Sequence, residues 1–238
     1  MKKLATHGVL FDVGYGLMDE APRLDAALRW LSLNLKKAGI ECSVEQLHAL
    51  YREECRAPVP GYLGLIGQTV LAAGGSKSLA EQFRRELPWD VVPLTDLVGA
   101  RDALLMLRDA GLRIGVLANQ PASALEDLNR TGLGPLLDDI WLSGVIGLSK
   151  PDPLFFQAAL GAWKIPPERV AYVGDRLDYD VAPAKRLGMY AVRMLVGPHI
   201  AQQARSPDEC ADFESPSLIE IAQHLCAWQA GSGLAGTH

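Results

Sequence analysis

Short apolar runs that stop at a polar residue punctuate this chain. Gly8-Val-Leu-Phe11 halts at Asp12 and runs into the turn formers Gly14-Tyr15-Gly16, the pattern of a buried strand that ends in a loop. From Pro22 to about Leu87 the rhythm turns helical. Leu24, Ala27, Leu28, Leu31 and Leu35 fall on one stripe, and Val44, Leu47, Tyr51 and Cys55 on another. Gly61-Tyr-Leu-Gly64 and Gly74-Gly75 are expected as bends within this block. Beyond Pro93, helix and strand alternate. Ala100, Ala103, Leu104 and Leu107 share a helical face that ends at Gly111, a natural stop. Strands are predicted at Arg113 to Leu117, Asp139 to Leu142, Val170 to Val173 and Tyr190 to Leu195. Helices are predicted from Pro121, from Pro153 through Trp163, and from Asp180 to Leu187 before Gly188. The tail beyond Ala227, with Gly231, Gly233 and Gly236, is expected to fray.

Such alternation belongs to a parallel sheet covered on both faces. The expected fold class is therefore α/β, a doubly wound parallel sheet whose first strand is followed by an inserted helical domain. Composition narrows the function. The 238 residues are 49% hydrophobic, enough for a sizeable core. A net charge of −5, with no Lys/Arg run longer than a pair, argues against nucleic acid and points to a small-molecule partner. No apolar stretch approaches the roughly 20 residues of a membrane helix, and Met-Lys-Lys leads directly into the first strand-like segment, so neither a signal peptide nor a membrane partner is expected. The four cysteines lack C-x-x-C spacing, which fits reduced thiols in a cytoplasmic protein. The five histidines are scattered, without the spacing of a transition-metal site.

In open parallel sheets, ligands bind beyond the carboxyl ends of the strands. Asp12, Asn119 and Asp175 each follow an apolar run, and Lys150 sits in Gly147-Leu-Ser-Lys-Pro-Asp-Pro153 just ahead of a helix start. Singly, each has an ordinary explanation as a turn former, a helix cap or a solvated charge. Together, two carboxylates, an ammonium and an amide at one end of a sheet make a site for a divalent cation and an anion. The carboxylates alone would repel a phosphate; bound Mg²⁺ reverses that sign.

These residues resemble the haloacid dehalogenase (HAD) superfamily, in its phosphatase branch. Phe11-Asp12-Val-Gly14-Tyr-Gly16 is similar to its first motif, Gly115-Val-Leu-Ala118-Asn119 to its second, the Lys150 segment to its third, and Val173-Gly174-Asp175-Arg-Leu-Asp178-Tyr-Asp180 to its fourth. The resemblance runs from about residue 8 to 226. It implies a Rossmann-like core of residues 1–17 and 93–238, with a helical cap of residues 18–92. It also implies a Mg²⁺-dependent phosphohydrolase of a small phosphorylated metabolite, with Asp12 as the nucleophile that becomes an aspartyl-phosphate. Asp12, the Gly14 carbonyl and Asp175 would hold the metal, Lys150 would neutralise charge, and Asn119 with Lys150 would bind the phosphate. Asp180 matches the second acidic position behind the ligands, whereas Asp178 is expected to cap the next helix. A monomer or a homodimer is compatible with all of this.

Three positions depart from the pattern. Gly14 stands where the family carries its general acid, a group typically worth about 10²–10⁴-fold, and Gly16 and Ala118 replace a Thr and a Ser/Thr. Tyr15, Asp19 and Glu20 are read as packing and hinge residues, and Trp30, Trp89, Trp141 and Trp163 as packing residues. The departures leave two alternatives: a metal-free 2-haloacid dehalogenase, opposed by Gly174-Asp175 and by Gly14 where that branch carries Tyr, and a non-catalytic phospholigand-binding protein.

Overall fold

The computed structural model describes residues 7–58, 61–88 and 92–231. The Met-Lys-Lys start, Trp89 and the tail from 232 lie outside them. Among the described residues the chain runs β1 (Gly8–Phe11), β2 (Met18–Asp19), α1 (Ala21–Lys37), α2 (Val44–Glu54), α3 (Gly61–Ala72), α4 (Lys77–Glu86), β3 (Thr95–Asp96) and α5 (Ala100–Asp109). It continues through β4 (Arg113–Ala118), α6 (Ala124–Arg130), β5 (Asp139–Leu142), α7 (Ser143–Ile146), α8 (Pro153–Trp163), β6 (Val170–Gly174), α9 (Ala182–Arg186), β7 (Tyr190–Met194), β8 (Phe213–Ser215) and α10 (Leu218–Gln229).

Two compact units emerge. The first comprises Met1–Asp19, Thr95–Val196 and Ala204–His238. Its sheet has the order β5-β4-β1-β6-β7-β8 with every neighbouring pair parallel. β1 lies between β4 and β6, so the chain reverses its direction of winding around it, the point at which such sheets bind ligands. Central strands buried on both faces must be apolar throughout, and Val9, Leu10 and Phe11 are fully buried. On one face, Leu10, Leu117, Tyr172 and Ala191 meet Phe155, Phe156, Leu160 and Trp163 of α8. Each such aromatic or aliphatic side chain contributes about 1.5–3 kcal/mol on burial. α5 and α10 pack on each other elsewhere in this unit.

The second unit comprises Glu20–Leu94 and Gly197–Gln203. Leu24, Leu28, Leu31 and Leu35 of α1 join Leu47 and Tyr51 of α2 and Phe83 of α4 in its core, with Trp30 edge-on to Phe83 at 5.3 Å. Ser43 and Gln46 close a reciprocal capping box at the start of α2. The segment Gly197–Gln203 was expected with the sheet. It groups here instead, because the turn at Pro198–Ala201 reaches α2 and buries Pro198 and His199.

Three local expectations change. Gly61 to Gly64 is not a bend but the first turn of α3, whereas Gly74 does turn the chain, with φ +92°. The helix expected to open at Pro121 begins at Ala124. The helix expected from Asp180 is split into a wider π-turn, Leu177–Val181, followed by α9.

Candidate active site

The chain leaves β1 through a tight loop. Leu17 N and Met18 N both donate to the Val13 carbonyl, at 3.0 and 2.8 Å, and Tyr15 N donates to Met18 O at 2.8 Å. These bonds hold Tyr15 in the left-handed region, φ 53°, a conformation that costs a non-glycine residue roughly 1–2 kcal/mol. At Gly16, a Cβ would lie 2.3 Å from the Asp12 carbonyl oxygen. The loop therefore admits no threonine there; the missing hydroxyl is a consequence of how sharply the loop closes on the Asp12 backbone.

Asp12 is oriented from one side. Its Oδ1 accepts from Val13 N at 2.9 Å and from Lys150 Nζ at 2.9 Å. No described residue hydrogen-bonds Oδ2. Lys150 is almost wholly buried, and its ammonium spends three protons on three acceptors: Asp12 Oδ1, Asp180 Oδ1 at 2.6 Å and the Tyr172 hydroxyl at 2.9 Å. Tyr172 in turn donates to the Leu117 carbonyl at 2.7 Å.

Lys150 is held by its main chain as well. Asn119, one residue past β4, donates from Nδ2 to Lys150 O at 2.8 Å and accepts Lys150 N on Oδ1 at 2.7 Å. The sequence reading gave Asn119 to the phosphate; the structure shows it first of all clamping the Lys150 peptide. Lys150–Pro151 is cis.

Asp175 is buried just past β6, and the π-turn that follows brings Asp180 back over Gly174. A Cβ on Gly174 would stand 2.4 Å from Asp180 Cγ, so only glycine lets that carboxylate in. Asp180 is fully buried, with Oδ1 on Lys150 and Oδ2 accepting Arg176 N at 2.9 Å. Asp178 does not cap α9. It forms a two-point ion pair with Arg176, at 2.7 and 3.0 Å, while the Arg176 guanidinium lies 4.0 Å from the Tyr179 ring centre. π-turns of this kind recur at functional sites, where one extra residue re-aims a side chain.

The electrostatics follow from this crowding. Burial pushes the Asp12 carboxyl up to about 7; Lys150 opposes that rise, and Asp180 and Asp175 add to it. Burial works against the Lys150 ammonium, but Asp12 and Asp180 outweigh it and raise its pKa. Burial, then the Asp180 and Asp12 charges, drive the Tyr172 phenol well above its ordinary value, so it remains a donor. One carboxylate oxygen each from Asp12, Asp175 and Asp180 lies within 4.8 Å of the others. Three carboxylates against one ammonium leave an excess of negative charge, and hard divalent cations favour such oxygen donors. The donor set therefore fits Mg²⁺, with Asp180 committed to Lys150 and Arg176 and Asp12 Oδ2 facing the remaining space.

Fold and site together place the chain among the HAD hydrolases: residues 8–188 match the haloacid dehalogenase-like hydrolase family, and the chain belongs to it, on its phosphatase-like side. It is 30% identical over 236 residues, covering 91% of this chain and 97% of the relative, to the glyceraldehyde 3-phosphate phosphatase of Methanopyrus kandleri. It is 34% identical over 142 residues to the phosphoserine phosphatase of Thermus thermophilus, covering 57% of this chain and 55% of that one. In fold it resembles a magnesium-bound HAD-hydrolase of Bacillus subtilis, with a TM-score of 0.67 and 20% identity over 93% of this chain and 99% of the other.

The loop carboxylates and Lys150 were legible as strand-end polar residues. Tyr172 was missed. It lies inside an apolar run, and the only signal for it was a single hydroxyl in a strand otherwise made of Val, Ala and Gly.

Proposed function

We propose that the protein is a Mg²⁺-dependent phosphohydrolase of small phosphorylated metabolites, working through an aspartyl-phosphate on Asp12. The observation that carries this reading is the one-sided orientation of Asp12: Oδ1 is anchored by Lys150 and Val13 N, while Oδ2 is left to the site. In the first half-reaction Oδ2 attacks phosphorus and the bond from phosphorus to the leaving oxygen breaks. In the second, water attacks the phosphorus of the aspartyl-phosphate, phosphate leaves and the Asp12 carboxylate is restored. Mg²⁺ held by Asp12, the Gly14 carbonyl and Asp175 would supply neutralisation of charge on the phosphoryl oxygens. Asn119 keeps Lys150 in place and offers its second amide proton to the phosphate. The helical unit is the proposed cap, and a reducing cytoplasm the proposed setting, since no disulfide joins the four cysteines.

Gly14 shapes the substrate range. With no acid at that position, and with the three protons of Lys150 already donated, leaving groups that depart as stable anions are favoured over alkoxides. The relatives named for glyceraldehyde 3-phosphate and phosphoserine support small phosphorylated substrates. The test is hydrolysis of acetyl phosphate, p-nitrophenyl phosphate and glyceraldehyde 3-phosphate, with Mg²⁺ and with EDTA, by the wild type, Asp12→Asn and Gly14→Asp. Hydrolysis that needs both Mg²⁺ and Asp12, and falls from acyl through aryl to alkyl phosphates, is expected; Gly14→Asp should raise the alkyl ester rate most. Metal-independent halide release from a 2-haloacid, or Mg²⁺ binding without turnover of any phosphate, would refute the proposal.

A further inference from the structure

The hydroxyl of Tyr172 is out of keeping with its surroundings. The ring packs among Leu10, Leu117, Phe155 and Phe156, with Phe156 at 5.1 Å between ring centres, where phenylalanine would fill the same apolar volume. Burying a hydroxyl there is unfavourable unless both its donor and its acceptor side are used. Both are: its one proton goes to the Leu117 carbonyl and its oxygen receives Lys150 Nζ. The phenol thus ties the backbone of β4 to an ammonium whose other partners are Asp12 and Asp180.

We infer that Tyr172 is a positioning residue for the reaction: by accepting the third ammonium proton it fixes the direction in which Lys150 presents the other two, and so fixes Asp12 Oδ1. This rests on the reading of Asp12 and Lys150 as the reacting pair. An ammonium with two acceptors in a dry interior can turn about its Cε–Nζ bond, whereas a third acceptor within 2.9 Å restrains that rotation. Removing the hydroxyl leaves a buried proton without a partner, or draws in a water, and Asp12 loses its fixed anchor. Substrate does not touch the phenol, so the loss belongs in kcat rather than in KM.

The experiment is Tyr172→Phe with two readouts besides its thermal midpoint. At saturating Mg²⁺ with p-nitrophenyl phosphate, kcat is expected to fall about tenfold, the scale of one hydrogen bond to a charged group, with KM changed less than about twofold. In protein carrying ¹⁵N-lysine, the Lys150 ammonium protons, assigned by their loss in Lys150→Arg, should exchange slowly with water in the wild type and at least about tenfold faster in Tyr172→Phe. Fast exchange already in the wild type, exchange unaltered by the substitution, or an unaltered kcat each overturns the inference, and a lowered midpoint alone would mark Tyr172 as a core residue only. If the wild type hydrolyses no phosphate, the proposed function fails by itself and the ammonium signal decides the role of Tyr172.

Discussion

In metal-free protein, raising the pH is expected to weaken the fold through Asp12. The unfolded chain ionises this carboxyl near its ordinary value of 3.8, whereas the folded protein keeps the proton until about 7. Between those values the folded state binds one proton more, unfolding releases it, and stability falls as pH rises. The contribution is complete below about pH 4 and lost above about pH 7. At about 1.4 kcal/mol per pH unit the interval amounts to about 4 kcal/mol at most. Asp12→Asn is neutral throughout. It should match the wild type near pH 4 and exceed it by up to about 4 kcal/mol near pH 7.5, since the folded-state value already contains the attraction of Lys150. The carboxyls of Asp25, Glu45 and the buried Glu209, whose pKa values are lowered by hydrogen bonds, act in the opposite sense at acid pH and cancel in the difference. Urea unfolding of both proteins in EDTA, followed by circular dichroism from about pH 4.5 to 7.5, measures it. A difference that stays flat, or a wild type that gains on Asp12→Asn as pH rises, would refute the account. Mg²⁺ at 100 times its Kd should return about 2.7 kcal/mol to the wild type.

Two further outcomes follow from the geometry. Gly16→Thr, which installs the residue the family usually carries, should lower kcat at least about tenfold, because its Cβ would meet the Asp12 carbonyl oxygen at 2.3 Å and the loop must open; a faster enzyme by steady-state assay would contradict this. Asn119→Ala removes both hydrogen bonds to the Lys150 peptide and should cost about 1–3 kcal/mol in denaturant unfolding, together with a fall in kcat; retention of both stability and kcat would show that the clamp is dispensable.

Periodicity and strand ends made the α/β sheet and most of its elements readable, because buried central strands and amphipathic helices write themselves into local sequence. What stayed hidden depends on partners distant along the chain. β8 is only Phe213–Ser215, recruited by pairing with β7, and the pair β2–β3 is two residues a side. The helix α10 went unread although Ser217, three residues ahead of Glu220, marks its start and Gly231 its end. Asp178 looked like a cap because Asp often is one; its bond to Arg176 depends on the π-turn, which no local preference announces. Asp12, Lys150 and Asp175 were legible as chemistry, whereas the clamp of Asn119 and the phenol of Tyr172 exist only once residues 117–119, 150 and 172 are brought together.

The π-turn also sets a fixed length. Val181 N donates to Arg176 O and Ala182 N to Leu177 O, each reaching back five residues, so the stretch from Asp175 to Asp180 acts as a gauge between the end of a strand and the buried lysine. Deleting one residue from it would swing Asp180 by about 100° around the helix axis and aim the carboxylate away from Lys150. Mutational drift can therefore exchange one side chain for another of like size in this stretch, but it cannot change how many residues stand there, and transplanting this site onto another sheet would mean carrying that count unaltered.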